Sequence, residues 1–213
     1  MLHVLAVGAL AASMLTGSAL EVPTDAASPP SEKITIEVMT VNGSGCPAGT
    51  AAVAMSEDNT AFTVTYSDYL AMVGVGASPI DFRKNCQLSL RINVPSGFTY
   101  AVAQADYRGF AYLEAGATGL ERASYYFQGS SLTTASSHWF PGPLVDNWQA
   151  TDTADVAALV FSPCGESRNL NVNTELRVMA GTSDTSVTTS FMTMDSTDAA
   201  VSTVYHLDWQ TCS

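Results

Sequence analysis

The chain has 213 residues, 46% of them hydrophobic, which is enough for one sizeable core and excludes a disordered polymer. Only 13% are charged, against roughly 25% in an average protein, while 23 Ser and 23 Thr supply hydroxyls in their place, a composition that favours a secreted all-β protein. Eight Lys and Arg stand against 20 Asp and Glu, and a net charge of −12 has the wrong sign for phosphate backbones or anionic lipid, so nucleic acid is not an expected partner.

Residues 1–20 contain no Lys, Arg, Asp or Glu, and their apolar run ends at Leu15. That length suits the core of a secretory signal and falls short of the ~20 residues that span a bilayer. We expect a signal peptide over residues 1–19, a flexible Pro/Ala/Ser leader over 20–32 and a single domain over 33–212. No later stretch reaches transmembrane length, so the mature chain is expected outside the cell with no membrane segment.

From Ile34 onward the apolar period is two, the period of a half-buried strand. Ile34, Ile36 and Val38 alternate with Thr35 and Glu37. Leu88, Leu90, Ile92 and Val94 alternate with Ser89, Arg91 and Asn93, and Leu170, Val172, Leu176 and Val178 alternate with Asn171, Asn173, Glu175 and Arg177. Phe62 to Tyr66, Phe98 to Val102, Tyr125 to Phe127 and Val201 to Trp209 repeat the habit with more Thr and aromatic residues, which suit a pleated surface. Gly and Pro breakers, among them Pro95-Ser96-Gly97, Gly109, Gly119 and Pro141-Gly142-Pro143, fall at the short spacings of a sandwich or barrel. Asp152 to Phe161 is the best helical candidate and reads equally as a strand. The expected fold is one antiparallel β-sandwich of about ten strands, Greek-key or jelly-roll-like and disulfide-stabilised.

Four cysteines, Cys46, Cys86, Cys164 and Cys212, all follow the signal, and three pairings are possible. Cys46 with Cys86 and Cys164 with Cys212 is the expected one, each bridge stabilising by roughly 3 to 4 kcal/mol in the chain-entropy model. Zinc is disfavoured because no C-x-x-C pair is present and only His138 and His206 follow the signal.

Several segments carry a resemblance: VNGSGCPAGT (Val41 to Thr50), FRKNCQL (Phe82 to Leu88), ADYRGF (Ala105 to Phe110), YYFQG (Tyr125 to Gly129), FPGP (Phe140 to Pro143), SPCG (Ser162 to Gly165), LNVNTELRV (Leu170 to Val178) and the terminal WQTC (Trp209 to Cys212). In that order, over about 170 residues, they resemble the secreted family of actinobacteria and fungi catalogued as "domain of unknown function 4360". The resemblance implies an exported, disulfide-bonded β protein and brings no established activity.

The candidate chemistry is sparse. No G-x-S-x-G elbow is present, His138 lies in a loop-like segment, and His206 is expected to face solvent because alternation turns Tyr205, Leu207 and Trp209 inward. Asp106 is a weak candidate for one of the paired carboxylates of a glycan-cleaving enzyme, although Arg108 two positions on makes a structural ion pair its first reading. Arg83 and Lys84 form the only adjacent basic pair and, next to Cys86, suggest a fixed loop that holds an acidic polymer. Among rings that could stack on a sugar are Tyr107, Tyr126 and Trp139, and Tyr125, Tyr126 and Phe127 cannot all point inward on one strand. Calcium suits an acidic exported protein, but neither Asp195 to Asp198 nor Asp146-Asn147 with Asp152 matches a calcium loop, so no cofactor is expected. Asn42-Gly43-Ser44 is a glycosylation sequon. The first expectation is a non-catalytic extracellular module binding a polysaccharide or surface polymer, through residues drawn from Arg83, Lys84, Tyr107, Arg108 and Tyr126. A small glycan-active enzyme is the second.

Overall fold

The computed structural model describes residues 27–154, 159–194 and 203–212. The expected signal peptide, the first part of the leader and the Asp195 to Asp198 segment lie outside these residues.

The described chain forms twelve strands: β1 (Thr35–Asn42), β2 (Ala51–Met55), β3 (Ala61–Tyr66), β4 (Leu70–Gly74), β5 (Arg83–Asn93), β6 (Phe98–Leu113), β7 (Thr118–Phe127), β8 (Thr134–Pro141), β9 (Leu144–Thr153), β10 (Leu170–Met179), β11 (Thr189–Met194) and β12 (Thr203–Thr211). They build two antiparallel sheets. One has the order β1-β5-β10-β7-β8; in the other, β2, β3, β12, β6, β11 and β4 follow one another and β9 pairs with β6. Among the described residues no helix is long and apolar enough to cross a membrane.

β6 organises the second sheet. Phe110, Ala111 and Tyr112 pair with both β9 and β11, and Ala105 and Asp106 pair with both β9 and β12. β9 therefore flanks one edge of β6, while β11 and β12 lie end to end along the other. The alternating apolar residues meet between the sheets. Cys86, Leu88, Leu90 and Ile92 of β5 and Val172, Leu176 and Val178 of β10 face Phe62 and Val64 of β3 and Tyr205 and Trp209 of β12 across the shared core. Each such side chain contributes about 1.5–3 kcal/mol by leaving water.

The sequence signals and the structure differ at informative places. Gly109 and Gly119, expected as breakers, sit inside β6 and β7: a Cβ on Gly109 would strike the Thr193 carbonyl oxygen, and one on Gly119 the Met192 sulfur. They are glycines for close approach, not for turning. His138, expected in a loop, lies in β8, whose polar and small residues (Thr134-Ala135-Ser136-Ser137) hide the alternation. The candidate helix starts inside β9 at Asp152, and its residues 155–158 lie outside the described ones. Residues 27–32, expected within a flexible leader, are bound to the fold. The Ala27 N–H donates to the Trp209 carbonyl at 2.9 Å, and the Asn59 amide donates to the carbonyls of Pro30 (2.8 Å) and Glu32 (2.9 Å).

Disulfides join Cys46 to Cys86, with Cα atoms 5.3 Å apart, and Cys164 to Cys212, 5.8 Å apart. The first ties the loop after β1 to β5, and the second ties the loop before β10 to the end of β12. Replacing Cys164 and Cys212 together by Ala should lower the free energy of unfolding by roughly 3 to 4 kcal/mol. Denaturant titration of the oxidised proteins checks this, and an unchanged midpoint would refute it.

Candidate functional site

Period-two alternation, which sends one face of β10 into the core, sends the other to the outside of the five-stranded sheet. Register then lines up its outward residues with those of the neighbouring strands. One row across the sheet is Arg83, Arg177, Leu120 and Trp139; the next is Asn85, Glu175, Arg122 and Ser137. A third runs Asn42, Gln87, Asn173, Ser124 and Ala135, and a fourth Thr40, Ser89, Asn171 and Tyr126. Arg91 stands opposite Glu37 beyond them. Four of the eight Lys and Arg residues of a chain with net charge −12 thus share one face with two carboxylates among the described strand residues, Glu37 and Glu175.

Glu175 anchors this face. Arg83 donates to its Oε2 through Nε at 2.7 Å and also pairs through Nη2, and Arg177 donates to its Oε1 through Nη2 at 2.7 Å and Nε at 3.1 Å. Burial pushes the Glu175 carboxyl up, but the two guanidinium groups outweigh it and hold the carboxyl below its ordinary value. Beside the triad lies a surface cavity of ≈ 220 Å³ whose lining includes Arg83, Asn85, Gln87, Arg122, Ser124 and Asn173. Trp139, 59% exposed, stands at the edge of the sheet, and Tyr126 is half-buried on the outward side of β7.

Several expected site residues move. Arg83 and Lys84 lie in β5, not in a loop, and as strand neighbours they point to opposite faces, so they cannot act as a pair. Lys84 is instead bound to Asp81 at 2.8 Å. Tyr107 is wholly buried, and its hydroxyl is hydrogen-bonded to that of Tyr125. Asp106 does not pair with Arg108, which is exposed; it accepts from Thr151 at 2.6 Å, from Gln104 at 3.0 Å and lies 2.9 Å from His206 Nε2. Burial raises the Asp106 pKa, and these partners more than reverse that, leaving it lowered. Asp146 and Asn147 are exposed on β9 while Asp152 faces inward roughly 20 Å along the strand. Among the described residues no three His, Cys, Asp or Glu are grouped to hold a metal.

Sequence reasoning missed a polar cluster between the sheets. Asp152 on β9 accepts from the Tyr125 hydroxyl at 2.6 Å and from Ser136 Oγ, and its Oδ1 lies 2.6 Å from His138 Nε2. One carboxylate thereby bridges the sheets. Ser136 and His138 both meet Asp152 and not each other, so no nucleophile–base pair forms. Asp106 faces outward on the same sheet, so the two acids stand on opposite sides of it and cannot flank one glycosidic bond.

Glu121 is the second omission. It shares the inward face of β7 with Ala123, Tyr125 and Phe127, is fully buried, and neither carboxyl oxygen has a hydrogen-bond partner among the described residues. Burial, aided by the negative charge of Asp152, pushes its pKa up to about 9. At neutral pH it is a neutral acid among tyrosines. The in-phase pattern Glu121, Ala123, Tyr125, Phe127 was the available sign.

The model of the family described as "Domain of unknown function (DUF4360)" matches residues 32–212. The chain belongs to this family. A relative from Arthroderma benhamiae, described as an "Uncharacterized secreted protein", is 35% identical over 185 residues, which cover 87% of this chain and 74% of the relative. The family member described here is likewise secreted, and its two disulfides suit the oxidising exterior.

Two outcomes test these environments. An unfolded Glu121 ionises near 4.5 while the folded one stays protonated to about 9, so its contribution is intact below pH 4.5 and declines as pH rises toward 9. Glu121→Gln should remove that decline and raise stability at pH 7 by up to about 3 kcal/mol, because each pH unit above the unfolded value costs about 1.4 kcal/mol. Thermal unfolding of both proteins from pH 4 to 9 reads it, and parallel profiles would refute it. Asp106 has the opposite sign: its stabilisation is present above 3.8 and disappears as pH falls through its lowered value. Asp106→Asn should cost about 1 kcal/mol or less at pH 7, since the His206 partner is 43% exposed.

Proposed function

We propose that this secreted protein is a non-catalytic module that binds a polysaccharide or a cell-surface polymer on the outer face of its five-stranded sheet. The observation that carries the reading is the register of β5, β10, β7 and β8, which aligns Asn, Gln, Ser and Arg side chains in successive rows bordered by Trp139 and Tyr126. Planar amides and guanidinium groups present donors and acceptors at fixed angles, suited to the many hydroxyls of a sugar. The aromatic rings offer flat surfaces to its C–H faces. Strands locked in a sandwich hold these groups in place beforehand, so little side-chain and backbone entropy is lost on binding.

The outer face of the other sheet supports this role less well. Its rings are turned toward one another, with Tyr112 and Phe191 stacked at 5.7 Å and 9° between planes and Phe110 6.0 Å from Phe191. The separation of Asp106 from Asp152 by the thickness of a sheet speaks against the glycan-cleaving alternative.

A screen of the mature protein against soluble and insoluble polysaccharides, with product analysis, tests the role. Retention on at least one polymer without released fragments is expected. Trp139→Ala and Asn173→Ala should each weaken retention by roughly tenfold, while Asp106→Asn leaves it unchanged. Release of cleaved products, or retention indifferent to both substitutions, would overturn the reading.

A further inference from the structure

Resting on that binding role, we propose that the face recognises a carboxylate-bearing polysaccharide, a polyuronate, with Arg122 as its anion receptor. Glu175 stands among three guanidinium groups: Arg83 beyond it on β5, Arg177 on its own strand, and Arg122 directly opposite on β7. Both of its oxygens are engaged, Oε2 by Arg83 and Oε1 by Arg177. Arg122 is exposed, and among the described residues no carboxylate lies within ion-pairing distance of it.

Three cations around one anion leave two positive charges uncompensated at the centre of the face. The surrounding ≈ 220 Å³ cavity runs from Arg83 to Arg122; Glu175, its charge held by Arg83 and Arg177, lines it together with the uncharged Asn85, Gln87, Asn173 and Ser124. A carboxylate entering here meets the planar fork of Arg122, which matches it in a bidentate fashion. The amides and the Ser124 hydroxyl remain for the ring hydroxyls of the same sugar. Screening over ~8 Å at physiological salt lets this local positive centre act against the acidic remainder of the molecule. A polymer with one carboxylate per sugar fits an isolated positive centre better than the dense phosphates of a nucleic acid, which the net charge of −12 repels at longer range.

The test measures binding of the mature protein to polygalacturonate, alginate and hyaluronate, each beside its methyl-esterified form. Arg122→Gln is the test variant. Lys84→Ala, altered on the inward side of β5 and away from the cavity, is the control. Binding to at least one polyuronate is expected, weakened roughly tenfold by esterification and roughly tenfold by Arg122→Gln, reduced by added salt, and unaffected by Lys84→Ala. The melting temperature of Arg122→Gln should stay within about 2 °C of the parent, because the replaced side chain is exposed and unpaired. Equal affinity for acid and ester forms, full binding by Arg122→Gln, or binding of neutral polysaccharides alone overturns carboxylate recognition and leaves the binding role standing. Failure to bind any polysaccharide, acidic or neutral, removes the role itself.

Discussion

The register of β10 between β5 and β7 is the constraint on which the rest depends. Leu170, Val172, Thr174, Leu176 and Val178 are buried, and a slip of one residue would exchange them for Asn171, Asn173, Glu175 and Arg177. Burial of Val172, Leu176 and Val178 alone makes that slip cost several kcal/mol. The same force that fixes the core therefore fixes which polar groups stand side by side outside it. The triad at Glu175, its neighbour Arg122 and the row of amides are consequences of hydrophobic registration.

The interior departs from a purely apolar sandwich in a way that sets its pH behaviour. Asp152 is partnered on both oxygens by groups of the opposite sheet, as a buried carboxylate requires. Glu121, fully buried on β7, has no such partners among the described residues and gives up its charge instead, because desolvation of a bare carboxylate costs more than retaining a proton. Tyr107 and Tyr125 lie near both acids, and Tyr205 lies near Glu121. Polar contacts of this kind resist sliding of the sheets, since a shift that keeps apolar area buried would still break the hydrogen bonds of Asp152.

Surface charge is distributed with similar economy. A chain with few ions places half of its cations on one sheet face and uses one acid to order two of them. On the other sheet the outward acid, Asp106, is taken up by Thr151, Gln104 and His206, so that face offers no free carboxylate at that position. The two outer faces of the sandwich thus differ in chemistry although both arise from the same alternation.

Composition and period by themselves determined the all-β class, the sandwich and the strands β1, β5, β10 and β12, because alternating burial is a local property that each segment carries alone. β8 stayed hidden, since its inward positions are Thr134, Ser136 and His138, whose partners Asp152 and Tyr125 lie on other strands. Arg83 was legible as a candidate, and its neighbour in sequence, Lys84, was not its neighbour in function, because adjacent residues of a strand face opposite sides. Tyr107 went into the core by the same rule once the phase of β6 was set by pairing on both edges. Arg122, 39 positions from Arg83, and Glu175, 92 positions from it, could join it only when β7 and β10 took their places in the sheet. Sequence decides which way a side chain points relative to its own strand; which side chains become neighbours is decided by hydrogen-bond register between strands, and that exists only in the tertiary fold.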